Sequence, residues 1–303
     1  MRDTRGIALL IVLWALLLLG TLGMSFAFAM RTEAMAARNT LDGARAYYQA
    51  RTGINRVIAL ISSTALDNVL RVPVTGGEED ASYEARIASE GGKIDINLVA
   101  EEMLKEILRN GGLSPEEAEN VGDSILDWRD EDDATRANGA ETPHYAALPR
   151  PVKPRNGRLA AVDELLSVKG VTPDLYGRFL YRVFTVHGNS LSVDINEAPV
   201  EVLRLLPGFT PEAADAVVSR RRSEPFRSPA EVAVFLAEAN VSAASVKFFS
   251  TTSLTRVYTI SSVGKAGGKI SRGVACRVEI GGGGTKSVKI MRWMDYVASG
   301  EGN

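Results

Sequence analysis

The chain of 303 residues is long enough for a membrane anchor and one or two domains of ordinary size. Its formal net charge of −2 gives no general attraction to nucleic acid. The single cysteine, Cys276, excludes an internal disulfide and a cysteine-based zinc site, and its valine neighbours predict a buried strand position.

The first predicted element is an apolar helix that starts at Ile7. No charged residue occurs between Ile7 and Met30, and a helix of that length spans about 36 Å, enough to cross a bilayer. The run is too long for the apolar region of a secretory signal, and it lacks a typical peptidase site at its end. Arg2 and Arg5 precede it, which favours a cytoplasmic N-terminus. We therefore expect a single-pass membrane anchor, with the bulk of the chain outside the cytoplasm.

Helical periodicity continues beyond the apolar run. Residues 31–61 contain no proline, and their apolar and small residues recur at helical spacing. These positions are Met35, Leu41, Ala44, Tyr48, Ile54, Val57, Ile58 and Ile61. The pattern predicts one continuous helix of about 55 residues, whose second half reaches to near Ser63, is amphipathic and needs a surface to pack against.

Two β regions flank a helical region. The segment SYEARIAS at residues 82–89 alternates between apolar and polar residues, which predicts a strand. After Thr251 the chain again shows β-rich runs parted by glycine turns, and KAGGK is typical of a hairpin turn. We therefore expect a helical domain, residues 93–250, inserted into a second domain formed by residues 31–92 and 251–303.

The helical region contains an internal repeat. DINLVAEEMLKEILRNGGLSPEEAEN begins at Asp95, DINEAPVEVLRLLPGFTPEAADA begins at Asp194, and VDELLSVKGVTPDLYGR, which lacks the opening, begins at Val162. In each copy a glycine suits a helix C-cap with positive φ, and a Ser or Thr followed by proline suits the next N-cap. The repeat therefore predicts helix-hairpin-helix units. The glycines are Gly112, Gly170 and Gly208, and the caps are Ser114, Thr172 and Thr210.

Helix-hairpin-helix units leave a DNA-binding alternative open. The copy that begins at Asp194 resembles the DNA-receptor module of competence systems, which is also membrane-anchored. That module offers backbone N–H groups to phosphate through a Gly-apolar-Gly hairpin, whereas here Thr210 replaces the second glycine and Pro211 has no N–H. The surrounding region is acidic, and its one basic patch, Arg220-Arg221-Arg222, fits a solvated helix end stabilised by the helix dipole. Nucleic acid is therefore not the expected partner.

An acidic loop follows the first copy of the repeat, in the stretch ILDWRDEDDATRANGAE. Clustered carboxylates separated by small residues suit a hard cation such as calcium. The spacing is not that of an EF-hand, however, and a solvated acidic loop fits it as well. The carboxylates are Asp127, Asp130, Glu131, Asp132, Asp133 and Glu141.

No motif points to catalysis. His144 and His187 have neither metal-ligand spacing nor a nucleophile motif beside them, and the sequence has no glycine-rich phosphate loop. Gly281–Gly284 lies between β-rich runs and is typical of a flexible turn. We expect a protein without enzymatic activity.

Together these features resemble the K minor pseudopilins of bacterial type II secretion systems. Arg5-Gly6-Ile7-Ala8-Leu9-Leu10 is similar to a prepilin peptidase site that is cut after Gly6. A long helix followed by strands is similar to the pilin fold, and a large helical insertion with a stretch like LDWRDEDD…GAE…Y is characteristic of the K subunit. Other pseudopilins have glutamate at the fifth mature position, where this chain has Ile11.

The resemblance implies an α+β, pilin-like fold: a long N-terminal helix and an antiparallel sheet, with a large all-α helix-hairpin-helix domain inserted. Residues 1–6 would be a leader peptide and residues 7–30 a transmembrane helix in the bacterial inner membrane, with the N-terminus cytoplasmic and the bulk of the chain periplasmic. The implied partners are the I and J minor pseudopilins, the major pseudopilin indirectly, prepilin peptidase and membrane lipid. The implied role is to initiate or cap the pseudopilus, the filament that supports protein secretion across the outer membrane.

Ile11 indicates where this subunit would lie in that filament. A lone carboxylate in hydrocarbon is costly unless it is paired, and in the family it is thought to pair with the N-terminal amine of a neighbouring subunit. A chain with Ile11 cannot make that pair, although its own amine at Ile7 remains available to a subunit added below. The resemblance therefore implies the first subunit of the filament, at its tip.

The resemblance also implies calcium in the helical domain. Matching the acidic segment makes Asp130, Asp132, Asp133 and Glu141 the candidate ligands, with Glu131 and Asp127 as weaker candidates.

Replacing Gly6 with a bulky residue, as in Gly6→Leu, should block removal of the leader, because the cut follows this residue. Mass spectrometry of the purified chain should then find the six-residue leader still attached to Ile7. A variant that is processed normally would contradict the peptidase site.

Overall fold

The computed structural model describes residues 4–63, 69–70, 72–78, 80–281 and 287–297, with side chains from Ile7 onward. Outside this description lie residues 1–3 of the predicted leader, residues 282–286 with most of the expected Gly281–Gly284 turn, and residues 298–303 at the end of the predicted β region.

A single helix, α1 (Thr4–Ser63), forms the stem of the molecule. Its apolar part, from Ile7, is long and apolar enough to cross a membrane and is not buried by the rest of the chain. The second half buries one face, at Ala46, Ala50, Ile54, Val57 and Ile61. One continuous helix with an amphipathic second half is therefore confirmed.

A five-stranded antiparallel sheet packs on that buried face. In spatial order its strands are β1 (Val74–Glu78), β2 (Ala81–Ser89), β7 (Val257–Ala266), β8 (Ile270–Ile280) and β9 (Val288–Val297). β2 pairs directly with β7, with Ser89 opposite Tyr258, although the whole helical region lies between them in sequence. The α+β, pilin-like fold is confirmed.

Two predicted details of the sheet are also confirmed. The KAGGK segment turns between β7 and β8, where Gly267 and Gly268 have φ of 58° and 71°. Cys276 is fully buried on β8, in the core shared with α1.

Glycines let the backbones of α1 and β7 approach each other directly. A Cβ atom at Gly264 would overlap the Ala46 carbonyl oxygen and would lie 2.5 Å from the Ala50 nitrogen. A Cβ atom at Gly53 would overlap the Ser262 hydroxyl. Because Gly264 faces Ala46 and Ser262 faces Gly53, β7 runs antiparallel to α1. The start of β7 therefore lies towards the C-terminal end of the stem.

The helical domain has its own hydrophobic core and is built from two successive groups of short elements. The first group is β3 (Ile94–Asp95), α2 (Glu101–Asn110), α3 (Pro115–Arg129), α4 (Thr142–Ala146), a 3-10 helix (Val162–Ser167), α5 (Pro173–Leu175), a π turn (Tyr176–Leu180), α6 (Tyr181–Val183) and β4 (Phe184–Thr185). The second group is β5 (Val193–Asp194), α7 (Val200–Leu205), α8 (Pro211–Ser223), α9 (Pro229–Glu238), a 3-10 helix (Ala243–Phe248) and β6 (Phe249–Ser250).

The two groups are copies of one structural unit. β3 pairs with β4 in parallel, and β5 pairs with β6 in the same way. The Asn97 amide exchanges two hydrogen bonds with the backbone of Leu159, and the Asn196 amide does the same with Phe226. The predicted all-α insertion thus also contains two strand pairs, which are too short to show a period-2 pattern in sequence.

The structure has the predicted glycine and Ser/Thr caps at three turns, and it adds a fourth turn of the same kind. Gly112, Gly170 and Gly208 have φ of 92°, 83° and 77°, and the side chains of the three predicted caps accept backbone N–H groups of the following turn. The fourth turn is at Asn240, with φ of 57°, and Ser242 caps the next helix. It was missed because asparagine replaces the glycine and alanine replaces the proline.

The basic patch at the end of α8 does not match its predicted role. Arg221 donates to the Ile195 carbonyl oxygen at 2.7 Å, and burial lowers its pKa. Arg220 donates to the Glu231 carboxylate at 2.6 Å. The interpretation as a solvated helix end is therefore wrong for these two arginines, because their guanidinium groups bind within the domain.

Glu90 joins the helical domain to the sheet. Its carboxylate is buried, and it accepts hydrogen bonds from Thr185 of β4 and Thr259 of β7, both at 2.6 Å. Burial alone raises the pKa of Glu90, but Lys93 and Arg277 lower it to about 2. This carboxylate therefore stays ionised and holds elements of both domains together.

Gly264→Ala should lower the free energy of unfolding by about 1–3 kcal/mol, because its Cβ has no room against the backbone of α1. The matched control is Gly43→Ala, whose Cβ makes an ordinary 3.6 Å contact with Arg272, and alanine is about 1 kcal/mol better than glycine inside a helix. Thermal unfolding of the detergent-solubilised chain should separate the two variants. Equal melting temperatures would contradict the direct backbone contact.

Candidate metal centre

The acidic loop starts from the last turns of α3. This helix ends at Arg129 because Asp130 takes an extended backbone conformation, with φ −82° and ψ 172°. Asp123 and Asp127 lie near its C-terminus and are buried. A helix dipole disfavours carboxylates at this end, so each of them needs a compensating positive charge.

Asp123 belongs to a cluster that is compensated by Lys105. The Lys105 Nζ atom lies 2.7 Å from carboxylate oxygens of Glu101, Glu119 and Asp123. The second oxygen of Asp123 accepts from the Asn138 N–H and side-chain amide. Burial raises the pKa of Asp123, but Lys105 and Asn138 outweigh it and lower the pKa. We call these five residues the lysine cluster.

Asp127 and Asp130 share a different cation. Nη1 of Arg136 donates to Asp127 Oδ1 at 2.7 Å and to Asp130 Oδ2 at 2.6 Å. The Arg136 backbone N–H also points at Asp127, 3.2 Å from Oδ2. Gly139 lets the loop close over this carboxylate, because a Cβ there would overlap Asp127 Oδ2.

Four buried oxygens of the acidic loop and the segment that follows it have no hydrogen-bond partner. They are Asp130 Oδ1, Glu141 Oε1 and Oε2, and Asn156 Oδ1. Glu141 is only 1% exposed. Buried acceptors without partners are rare in native proteins and call for a bound water or ion.

Glu141 lies in a buried and negatively charged environment. Burial, followed by the charges of Asp127, Asp130 and Asp133, raises the pKa of Glu141 to about 7. The Thr142 N–H opposes this shift without making a hydrogen bond of normal geometry to either oxygen. A bound proton or a cation would relieve the repulsion at this carboxylate.

Asn156 approaches the cluster from the other side of the loop. It has φ of 44°, a left-handed conformation that asparagine tolerates. Its Nδ2 donates to Asp133 Oδ1 at 2.9 Å, so its unpaired Oδ1 lies beside the same carboxylate. We call Asp127, Asp130, Asp133, Glu141 and Asn156, together with Arg136, the arginine cluster.

Aromatic side chains close the inner side of the loop. Trp128 and Tyr145 are buried, with ring centroids 5.0 Å apart and planes at 84°. The Tyr145 hydroxyl accepts from the Lys169 N–H, and the Lys169 ammonium donates to the carbonyl oxygens of Asn138 and Gly139. These contacts tie the loop to the domain core.

The structure separates the predicted site residues into three groups. Asp130, Asp133 and Glu141 lie in the arginine cluster. Asp127 lies there too, although the sequence made it a weaker candidate ligand. Glu131, Asp132 and Asp133 are all exposed, but Asp133 Oδ1 accepts from Asn156 Nδ2, whereas Asp132 Oδ1 accepts the Ala134 N–H at 2.8 Å. The processing and assembly residues Gly6, Ile7 and Ile11 lie in α1, away from this loop in sequence.

The arginine cluster offers hard oxygen ligands, but its ligand set is incomplete. Among the residues that the structure describes, no three Asp, Glu, His or Cys side chains form a ready metal cage. Arg136 takes oxygens of Asp127 and Asp130, and the fourth unpaired oxygen is an asparagine amide. Sequence reasoning missed Arg136 and Asn156; the Asn156-Gly157 pair, typical of a left-handed turn, was the available signal.

The chain is similar in sequence to known proteins of one family. The family model for type II secretion system protein K matches residues 86–186, which include the whole acidic loop. Protein K of the type II secretion system of Pectobacterium carotovorum is 32% identical over 251 residues, 72% of this chain and 75% of the relative. The Klebsiella pneumoniae protein K is 25% identical over 239 residues, 72% and 73% of the two chains.

A solved structure has the same fold. It is a chain in the crystal structure of the GspK-GspI-GspJ complex from enterotoxigenic Escherichia coli, matched with a TM-score of 0.59. The match covers 88% of this chain and 99% of that chain at 16% identity. At this identity the likeness concerns the fold alone.

Glu141→Gln should remove a pH dependence of stability in calcium-free buffer. The folded pKa, about 7, exceeds the ordinary value of 4.5, so the folded chain binds more protons and the wild type loses stability as pH rises through this range. The variant should therefore melt higher than the wild type at pH 8 and equally at pH 5. Glu102→Gln, the same change at an exposed position, is the control. Identical curves for Glu141→Gln and the wild type would contradict the buried charge.

Proposed function

The chain belongs to the protein K family of type II secretion systems, and from this premise we propose that it is the minor pseudopilin at the tip of the pseudopilus. It would initiate or cap the filament that supports protein secretion across the outer membrane. The observation that carries this proposal is Ile11, which replaces the carboxylate by which a subunit would pair with the one above it.

The placement of the helical domain supports a tip position. It is inserted at Ser89 and Val257, and β7 runs antiparallel to α1, so the insertion lies towards the end of the stem that is remote from the apolar half. A bulky domain at this end would obstruct a subunit stacked above it. It leaves the apolar half of α1 free for a subunit below.

We propose that the I and J minor pseudopilins of the same system bind this chain, as they accompany GspK in the solved complex. The outer face of α1 is the proposed contact surface. Leu41 and Tyr48 are exposed there, while Ala50 and Ile54 are buried against the sheet. Exposed apolar residues on a stem helix are favourable contacts for another stem.

The N-terminal part of α1 is the proposed membrane anchor. Prepilin peptidase would cut after Gly6, and residues 7–30 would hold the subunit in inner-membrane lipid with its N-terminus cytoplasmic and its domains periplasmic. The chain would act by assembly rather than by catalysis. The major pseudopilin would be an indirect partner, added below.

We also propose that the arginine cluster binds calcium. Asp130, Glu141 and Asn156 supply the unpaired buried oxygens, and Asp127 and Asp133 lie beside them. Calcium prefers carboxylate and amide oxygens. Bound there, it would neutralise the repulsion among the carboxylates and fasten the loop to α3. Calcium should accordingly raise the melting temperature of the wild type and not that of Glu141→Gln.

The tip proposal is tested by reconstitution in detergent with the I and J minor pseudopilins of the same organism. Size exclusion should give a stoichiometric ternary peak. Tyr48→Arg, on the exposed face of α1, should weaken it, whereas Leu191→Arg, equally exposed but in the helical domain, should not.

A DNA duplex run in parallel addresses the alternative function. Co-migration with DNA that weakens with salt, without a ternary peak, would overturn the tip proposal and favour a membrane-anchored DNA-binding protein.

A further inference from the structure

The two acidic clusters of the helical domain differ in how completely they are compensated. In the lysine cluster, Lys105 contacts three carboxylates and both oxygens of Asp123 have partners. In the arginine cluster the guanidinium of Arg136 binds two of the four carboxylates, and four oxygens have no partner. A cation binding to this domain therefore gains most at the arginine cluster.

Arg136 already binds carboxylate oxygens that a bound ion would use. One nitrogen, Nη1, bridges Asp127 and Asp130. These bonds leave Asp130 with one paired and one unpaired oxygen. A divalent ion next to Asp130 would meet the positive charge of the guanidinium at short range, where repulsion between like charges is strong.

The Arg136 guanidinium is placed so that it can move away from Asp127 and Asp130. Its side chain is 34% exposed, and its Nε lies 4.0 Å from Glu101, which offers a second carboxylate. The Arg136 backbone N–H holds Asp127 independently of the guanidinium. The loop can thus keep its backbone contact while the guanidinium moves from the cluster towards Glu101.

We propose that Arg136 is an internal counter-cation that competes with calcium for Asp127 and Asp130, holding the loop folded when calcium is scarce and setting the calcium affinity of the site. This inference rests on the proposed calcium site. It assigns to one side chain both the stability of the calcium-free loop and the calcium concentration at which the site fills.

The test is isothermal titration of the full chain in detergent, stripped with chelator and titrated with calcium chloride. Arg136→Gln should lower the Kd for calcium by about tenfold or more, because one competing charge is lost, and should lower the melting temperature in chelator. Arg136→Lys keeps the charge and should bind calcium like the wild type. Arg109→Gln removes a positive charge from the same domain, two helical turns from Glu101 and paired with Glu119, and should change neither quantity.

The outcomes separate this inference from the calcium proposal. If the wild type binds calcium and Arg136→Gln binds it equally or more weakly, Arg136 supports the loaded site and the competition is overturned while the calcium site stands. If neither protein binds calcium, both proposals fail. If Arg136→Gln and Arg136→Lys both bind calcium more tightly than the wild type, the competition is also overturned, because the positive charge would then not be what competes with calcium.

Discussion

At Gly264 the backbones of α1 and β7 meet with no side chain between them, and at Gly53 the helix packs on the Ser262 hydroxyl, so the stem lies directly on the middle strand of the sheet. Small residues on the stem, Ala46 and Ala50, make this approach possible, and larger ones further along, such as Ile54 and Val57, fill the core on the same face. The chain leaves the sheet after β2 and returns at the start of β7, the strand that makes this contact. The position of the helical domain relative to the stem therefore depends on how closely two backbones meet.

Buried carboxylates hold the helical domain together and attach it to the sheet. A buried ion costs several kcal/mol unless a partner compensates it. Glu90 meets Lys93 and Arg277, and Asp123 meets Lys105. Asp95 and Asp194 accept backbone N–H groups instead. Glu141 is the exception, because no donor reaches its oxygens and neighbouring carboxylates surround it. This imbalance sets the proposed calcium site apart from the structural ion pairs of a region that is acidic throughout.

Comparison of the two repeated units shows that the acidic loop is an addition to the first of them. Both units close with an asparagine that binds a backbone segment, Asn97 with Leu159 and Asn196 with Phe226. In the second unit a short connection leads from α8 to Phe226, whereas in the first unit the acidic loop leads from α3 to Leu159. The unit is complete without the loop. The loop is ordered by contacts outside the repeated unit: Tyr145 packs in the domain core, Arg136 and Asn156 bind carboxylates of the loop, and a bound ion would add to these contacts.

Local patterns in the sequence determined the long helix, the strands on either side of the insertion and three of the four hairpins, because periodicity, glycine caps and Ser/Thr-Pro pairs act within a few residues. The acidic stretch itself indicated where a cation could bind. The tertiary structure alone decided which carboxylates converge, that Asp127 belongs with them and that Asp132 does not. It alone brought Asn156 to Asp133 and placed Arg136 between two aspartates. The physical reason is distance along the chain: these pairings depend on how a loop folds back over α3, and no short-range pattern encodes that path.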